Sequence, residues 1–142
     1  MELQNFQKIN PEYKARINKV FDYIEKNISN KFTLEELSEK ANFSKYHFNR
    51  IFSSFVGETP FQFITRLRLE KAASMLVTNQ NMTISEIAFN CGFSDIAIFS
   101  RTFKNHFKKS ATVWKSELSK TKSNLSQIIS NYNQTHSNLK QE

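Results

Sequence analysis

The chain has one cysteine, Cys91, in 142 residues. That excludes an intramolecular disulfide framework and any zinc site built from several cysteines, and it fits a reducing compartment. The three histidines, His47, His106 and His136, are scattered and suggest no metal cage. No apolar run approaches the roughly 20 residues that a membrane-spanning helix needs. The N-terminus also lacks the apolar stretch of a signal peptide. The expectation is a cytoplasmic chain with no membrane partner. There is no glycine-rich loop to cradle a phosphate, no metal-ligand spacing and no defensible pair of catalytic carboxylates, so no enzyme, metal or cofactor is expected. Glycine and proline occur only twice each, and β-branched residues seldom alternate with polar ones. Both features point to helices joined by short turns, an all-α fold.

What the chain does have is positive charge and phenylalanine. Twenty Lys and Arg against thirteen Asp and Glu leave a formal charge of +7, which attracts polyanions without saying which kind. Most of the fourteen phenylalanines must be core, because thin helices need large side chains to fill the space between them.

Residues 1–11 read as a polar extension, with Pro11 able to start a helix. From Glu12 to Asn30, Ile17, Val20, Phe21, Ile24 and Ile28 recur at three- and four-residue spacing and predict an amphipathic helix. Thr33 and Glu36 form a candidate capping box that opens a short helix burying Leu34, Leu37 and Ala41. Residues 42–55 then read as a turn and a second helix. Phe48, Ile51, Phe52 and Phe55 lie on one face, and Tyr46, Asn49, Arg50 and Ser53 on the other. Gly57 ends that helix, and Thr59 with Pro60 starts a longer one that runs to about Val77. Roughly eighteen residues at 1.5 Å rise make a rod of about 27 Å.

The pattern then repeats. Thr33, Glu36, Leu37, Phe43 and Ser44 match Thr83, Glu86, Ile87, Phe93 and Ser94 at an offset of fifty; one inserted residue later, Phe48, Arg50 and Phe52 match Phe99, Arg101 and Phe103. In the second copy a helix through Asn90 precedes the turn at Gly92. The stretch from Phe93 to Phe107 is the candidate groove-reading helix, with Ile96, Phe99, Phe103 and Phe107 toward a core and Ala97, Arg101, Lys104 and Lys108 outward. Asp95 at its start suits the positive end of the helix dipole. Ser110 can cap a last helix from Ala111 to about Lys120, with Val113, Trp114 and Leu118 inward. From Thr121 onward a polar tail or linker is expected, although Leu125, Ile128 and Ile129 allow a weak helix. Two helix-turn-helix units, at about 33–55 and 83–107, with a connecting helix at about 60–77, are the predicted architecture.

Over residues 13–118, through TLEELSEKANFSKYHFNRIF, PFQFITRLRLEKAASML and ISEIAFNCGFSDIAIFSRTFKNHF, the chain resembles the DNA-binding region of the AraC/XylS family of bacterial transcription regulators. The resemblance implies a monomer that reads two half-sites, about one helical turn or roughly 34 Å apart, in double-stranded DNA. It implies an activator, hence a contact with RNA polymerase. Carried onto this chain, the family's base-facing positions fall on Tyr46, Asn49 and Arg50 in the first recognition helix and on Ala97, Ile98 and Arg101 in the second. Ser44, Lys45, His47, Ser94, Lys104, Asn105 and Lys108 are placed for phosphates. Lys108 and Ala111 stand where the family keeps glycine and proline, the counterparts of Gly57 and Pro60. Ala97 and Ile98 leave the second helix few hydrogen-bonding groups besides Arg101, so the first copy carries more of the expected readout. The apolar 96–98 segment also allows an alternative, a protein-interaction module of the same fold with little or no specific DNA binding.

Overall fold

The computed structural model describes residues 10–118 and 127–134, which form helices and turns with no strand among them. In chain order the helices are α1 (Pro11–Lys26), α2 (Leu34–Lys40), α3 (Lys45–Val56), α4 (Pro60–Thr78), α5 (Ile84–Asn90), α6 (Ile96–Phe107) and α7 (Ala111–Leu118). Residues 127–134 are helical as well and are labelled α8. The chain forms two compact units, and the boundary falls inside α4, after Thr65.

Most helix starts follow from side-chain caps. Pro11 opens α1, as expected of a residue whose missing N–H costs nothing in a first turn. α1 ends at Lys26, four residues earlier than the periodicity predicts. The Asn27 side chain donates back to the Tyr23 carbonyl (2.9 Å) and turns the chain, and Ile28 is buried from that turn rather than from a helix. At α5 the Thr83–Glu86 capping box is complete. At α2 it is half-formed. Thr33 accepts from the Glu36 N–H (3.1 Å), but the Glu36 carboxylate accepts instead from the Tyr23 hydroxyl (2.9 Å). A reciprocal pair also opens α4, where the Thr59 hydroxyl accepts from Gln62 N–H and the Gln62 side chain accepts from Thr59 N–H. Ser110 caps α7 through Val113 N–H (3.2 Å).

In the first unit, Ile17, Val20, Phe21 and Ile24 of α1 are buried with Leu37 of α2, Ala41 at its C-terminal cap, and Phe48, Ile51, Phe52 and Phe55 of α3. Phe21, Phe52 and Phe63 form an aromatic triangle with centroids 5.0–5.8 Å apart. Each such ring removed from water contributes about 1.5–3 kcal/mol before strain and entropy are counted.

The second unit is built on Leu69, Ala72, Ala73, Leu76, Ile87, Ala88, Cys91, Phe99 and Phe103. Rings run in sequence from Phe93 through Phe99, Phe103 and Phe107 to Trp114, with centroid separations of 4.6–5.5 Å. α7 is tied to this core by the Trp114 indole N–H donating to the Ala73 carbonyl (3.0 Å) and by Lys115 donating to the Met82 carbonyl (3.0 Å). Two residues expected inward are not. Ile96 is 39% exposed because it is the first residue of α6, before the helix turns its face to the core, and Val113 is 42% exposed on the outer side of the short α7. Trp114 packs against the core but is only partly buried. The side chain of Leu118, and Leu125 with the rest of 119–126, lie outside the described residues. Within the stretch expected to be a polar tail, α8 brings Ile128 and Tyr132, four residues apart on one face, to a cavity also lined by Ala73, Phe107 and Trp114.

Both turns between helices within the repeats share one backbone geometry. After α2, Asn42 has φ +59°; after α5, Gly92 has φ +101°. In each case the next residue, Phe43 or Phe93, donates its N–H to a carbonyl five residues back, Ser38 or Ala88 (3.0 Å both). Asn42 and Gly92 themselves donate to Glu39 and Phe89 (3.0 Å both). This is the Schellman arrangement, complete in both copies. α3 and α6 also end in left-handed residues, Gly57 at φ +88° and Lys108 at φ +64°. The family's glycine is therefore replaced in the second copy without a change of conformation.

A left-handed residue with a Cβ carries a penalty of about 1–2 kcal/mol. Lys108→Gly is expected to stabilise the second unit by about 1 kcal/mol, and Gly57→Ala to destabilise the first by about 1–2 kcal/mol although no atom would clash with the new methyl. Denaturant titration followed by the fluorescence of Trp114, the single tryptophan, reads the first change, and helical circular dichroism reads the second.

Candidate nucleic-acid interface

α3 is capped by Ser44, whose hydroxyl accepts from His47 N–H (3.2 Å). α6 is capped by Asp95, whose carboxylate accepts from Ala97 N–H (2.8 Å) and Ile98 N–H (3.1 Å). Phe93 and Ser94, expected inside the second helix, lie in the turn, because the Asp95 cap sets the helix start later. Aligning the two caps aligns the helices at an offset of fifty-one, and the inserted residue is taken up by the turn. Arg50 and Arg101 are then both the sixth residue of their helices.

The core-facing side of each helix is closed. Phe48, Ile51, Phe52 and Phe55 in α3 and Phe99 and Phe103 in α6 are fully or almost fully buried. On the other side Tyr46, Asn49 and Arg50 of α3, and Ala97, Ile98 and Arg101 of α6, are all exposed. Among the described residues, Arg50, Arg101 and Asn49 make no side-chain hydrogen bond or ion pair. A guanidinium held in water at the middle of an exposed helix face presents a planar fork of donors, which matches O6 and N7 of guanine in a major groove. Ser100, exposed at the counterpart of Asn49, joins this face in α6. The repeat alignment that pairs Arg50 with Arg101 already sets Ser100 opposite Asn49; its exposure on this face is what the structure adds.

The residues expected at phosphates divide into two groups. Ser94, Lys104, Asn105 and Lys108 are exposed around α6. Ser44 is exposed too, and its hydroxyl keeps its proton to donate outward while the oxygen caps α3. Lys45 is engaged with Glu35 (3.0 Å), but both side chains are more than half exposed, and such a pair is worth no more than about 1 kcal/mol and yields readily to another anion. His47 is different. It is half-buried, with its ring edge-on to Phe43 (5.1 Å) and Tyr13 (5.9 Å). Arg16 stacks over the same Phe43 ring (4.7 Å) and donates to the Asn42 carbonyl (3.3 Å). His47 and Arg16 thus both pack on the Phe43 ring of the first turn. His106 is exposed at the end of α6, edge-on to Phe107, and His136 lies outside the described residues.

Cys91 stands apart from this face. It is fully buried at the end of α5, where the first repeat has Ala41, and its thiol donates to the Met75 sulfur (3.7 Å). Burial pushes the thiol up to about 11, with Lys71 and Arg68 offsetting part of the rise. Among the described residues no group of three or more His, Cys, Asp and Glu side chains could hold a metal ion, and no helix is long and apolar enough to cross a membrane.

A tandem of helix-turn-helix units, each with its second helix outward, defines the class to which the fold belongs. The helix-turn-helix domain family matches residues 37–117. The chain is 33% identical over 91 residues to the multiple antibiotic resistance protein MarA of Salmonella typhimurium, covering 64% of this chain and 71% of that one. It is 28% identical over 116 residues to the Msm operon regulatory protein of Streptococcus mutans, covering 82% of this chain. The chain spans 41% of that relative's length. Its fold is similar to a Chromobacterium violaceum transcriptional regulator with an AraC-type DNA-binding domain, at a TM-score of 0.69, with 24% identity over 76% of this chain and 96% of that one. The chain belongs to the AraC/XylS-type family of transcription regulators and carries that family's DNA-binding domain.

The buried thiol gives a check on the second unit. Because the folded pKa lies above the unfolded value, near 8.5, the stability due to this proton is complete below about pH 8.5 and is lost as pH rises toward about 11. Denaturation midpoints followed at Trp114 are expected to fall between pH 8 and 10.5, and to fall less steeply in Cys91→Ala. Alkylation of Cys91 by iodoacetamide at pH 8 is expected to be fast only in denaturant; rapid labelling of the native chain would contradict the burial.

Proposed function

We propose that this chain is a sequence-specific binder of double-stranded DNA that activates transcription, with α3 and α6 each laid into a major groove and two adjacent half-sites read by one chain. The observation that carries the reading is the recurrence of Arg50 and Arg101. Two copies that have diverged at most outward positions keep an arginine at the same helical position, exposed and without an internal partner. Nothing in the packing of either unit requires a guanidinium there. Groove reading does.

The roles follow from the chemistry of each side chain. Arg50 and Arg101 donate to guanine edges, and Asn49 pairs with adenine through N6 and N7. Tyr46 and the aliphatic Ala97 and Ile98 contact base edges without formal charge. Ser44, Lys45, Ser94, Lys104, Asn105 and Lys108 anchor phosphates and set the register. His47, half-buried in the packing of the first turn, contacts phosphate through its exposed edge. Activation is then a matter of holding this domain at a promoter where a second surface meets RNA polymerase in the bacterial cytoplasm.

The test is selection of bound duplexes from a random pool, then titration of the best sequence against salt. The expected result is two enriched half-sites. Arg50→Ala and Arg101→Ala each weaken binding by about 1–3 kcal/mol and each relax a different half-site. The logarithm of affinity falls with that of salt by about 0.9 for every phosphate neutralised. A flat salt response and no enriched sequence would overturn the reading in favour of a protein adaptor. Placed upstream of a promoter, the selected site should raise transcript yield in vitro when the chain is added; a fall would make it a repressor.

A further inference from the structure

Aligned on their caps, the first three residues of α3 are Lys45, Tyr46 and His47, and those of α6 are Ile96, Ala97 and Ile98. An ammonium, a phenol and an imidazole are replaced by three aliphatic side chains. The second unit does not use them for packing. Its buried core takes Phe99 and Phe103 from α6, while Ile96 stays 39% exposed, Ile98 49% exposed and Ala97 exposed.

The polar groups nearby are turned away from any partner. The Asp95 carboxylate accepts the N–H groups of Ala97 and Ile98, so the start of α6 offers a negative charge where a bound phosphate would need free donors. The Thr102 hydroxyl donates back to the Ile98 carbonyl (2.7 Å). Outward hydrogen bonding from the first six residues of α6 is left to Ser100 and Arg101. In a major groove the base feature that an aliphatic side chain recognises is the C5-methyl of thymine. Ile98 lies one turn from Arg101, on the same face.

We propose that α6 recognises its half-site chiefly through methyl groups, with Ala97 and Ile98 packing on thymine C5-methyls beside a guanine read by Arg101. This rests on α6 being a groove reader. It adds the chemical class of the half-site, a thymine-bearing sequence read by apolar contact, in contrast to the hydrogen-bonding readout available to α3.

The probe is the selected duplex with the thymines of the second half-site replaced one at a time by deoxyuridine, which keeps every base pair and removes only a methyl. Each contacted position is expected to weaken binding about threefold to fourfold, the equivalent of one methyl-sized apolar contact. Ile98→Ala is expected to abolish the sensitivity at one of those positions while leaving the first half-site unchanged. Ile98 is half exposed, so the substitution removes little packing, and Trp114 fluorescence checks that the second unit stays folded. If the uracil duplexes bind as tightly as the thymine duplex while Arg101→Ala still relaxes the half-site, groove reading by α6 stands and methyl recognition is overturned. If Arg101→Ala and the uracil replacements are both without effect, α6 is not a reader and both statements fall.

Discussion

The left-handed turn between the two helices of each repeat is the constraint on which the rest depends. A Schellman closure at Asn42 or Gly92 reverses the chain within a few residues and satisfies the carbonyls at the end of the preceding helix. It sets the angle at which the second helix leaves. Given that angle, the phenylalanine stripe of α3 or α6 meets its core, and the opposite face is left to water. The outward arginines are exposed because the inward rings are buried.

The two copies reach the same turn by different means. In the first, an asparagine takes the left-handed position, a conformation it tolerates better than most residues with a Cβ. Arg16 then closes over the turn by bonding the Asn42 carbonyl and stacking on Phe43. In the second, Gly92 takes it without strain, and Phe93 packs on Phe99 instead of being covered from outside. The helix ends show the reverse assignment, glycine at Gly57 and lysine at Lys108. The backbone geometry is common to both copies, while the residue that adopts it differs.

Much of this was legible in the residues. The phenylalanine spacing, the threonine caps, Ser110 and the fifty-residue offset are local signals whose physics does not depend on the rest of the chain. Where reading failed, a tertiary contact had intervened. Glu36 belongs to Tyr23 rather than to its own cap. Ile96 is apolar at core spacing yet outside, because only the later turns of α6 face the core. The ion pair of Lys45 with Glu35 and the packing of His47 on Phe43 are likewise tertiary contacts that no local pattern shows. Of the tail, Ile128 and Tyr132 find apolar partners in Phe107 and Trp114 that no local pattern announces. On the candidate interface the residue types were readable from alignment of the repeats, while their availability was not, since exposure depends on every neighbouring helix.

The central claim is that both outward faces meet DNA. The most direct measurement is a hydroxyl-radical footprint of the chain on its selected duplex. Two windows of protected sugars about one helical turn, roughly 10.5 base pairs, apart are the predicted result, one for each recognition helix. A single window, with the sugars beyond it as reactive as in free DNA, would contradict the account and leave one of the two helix-turn-helix units without a role at the groove.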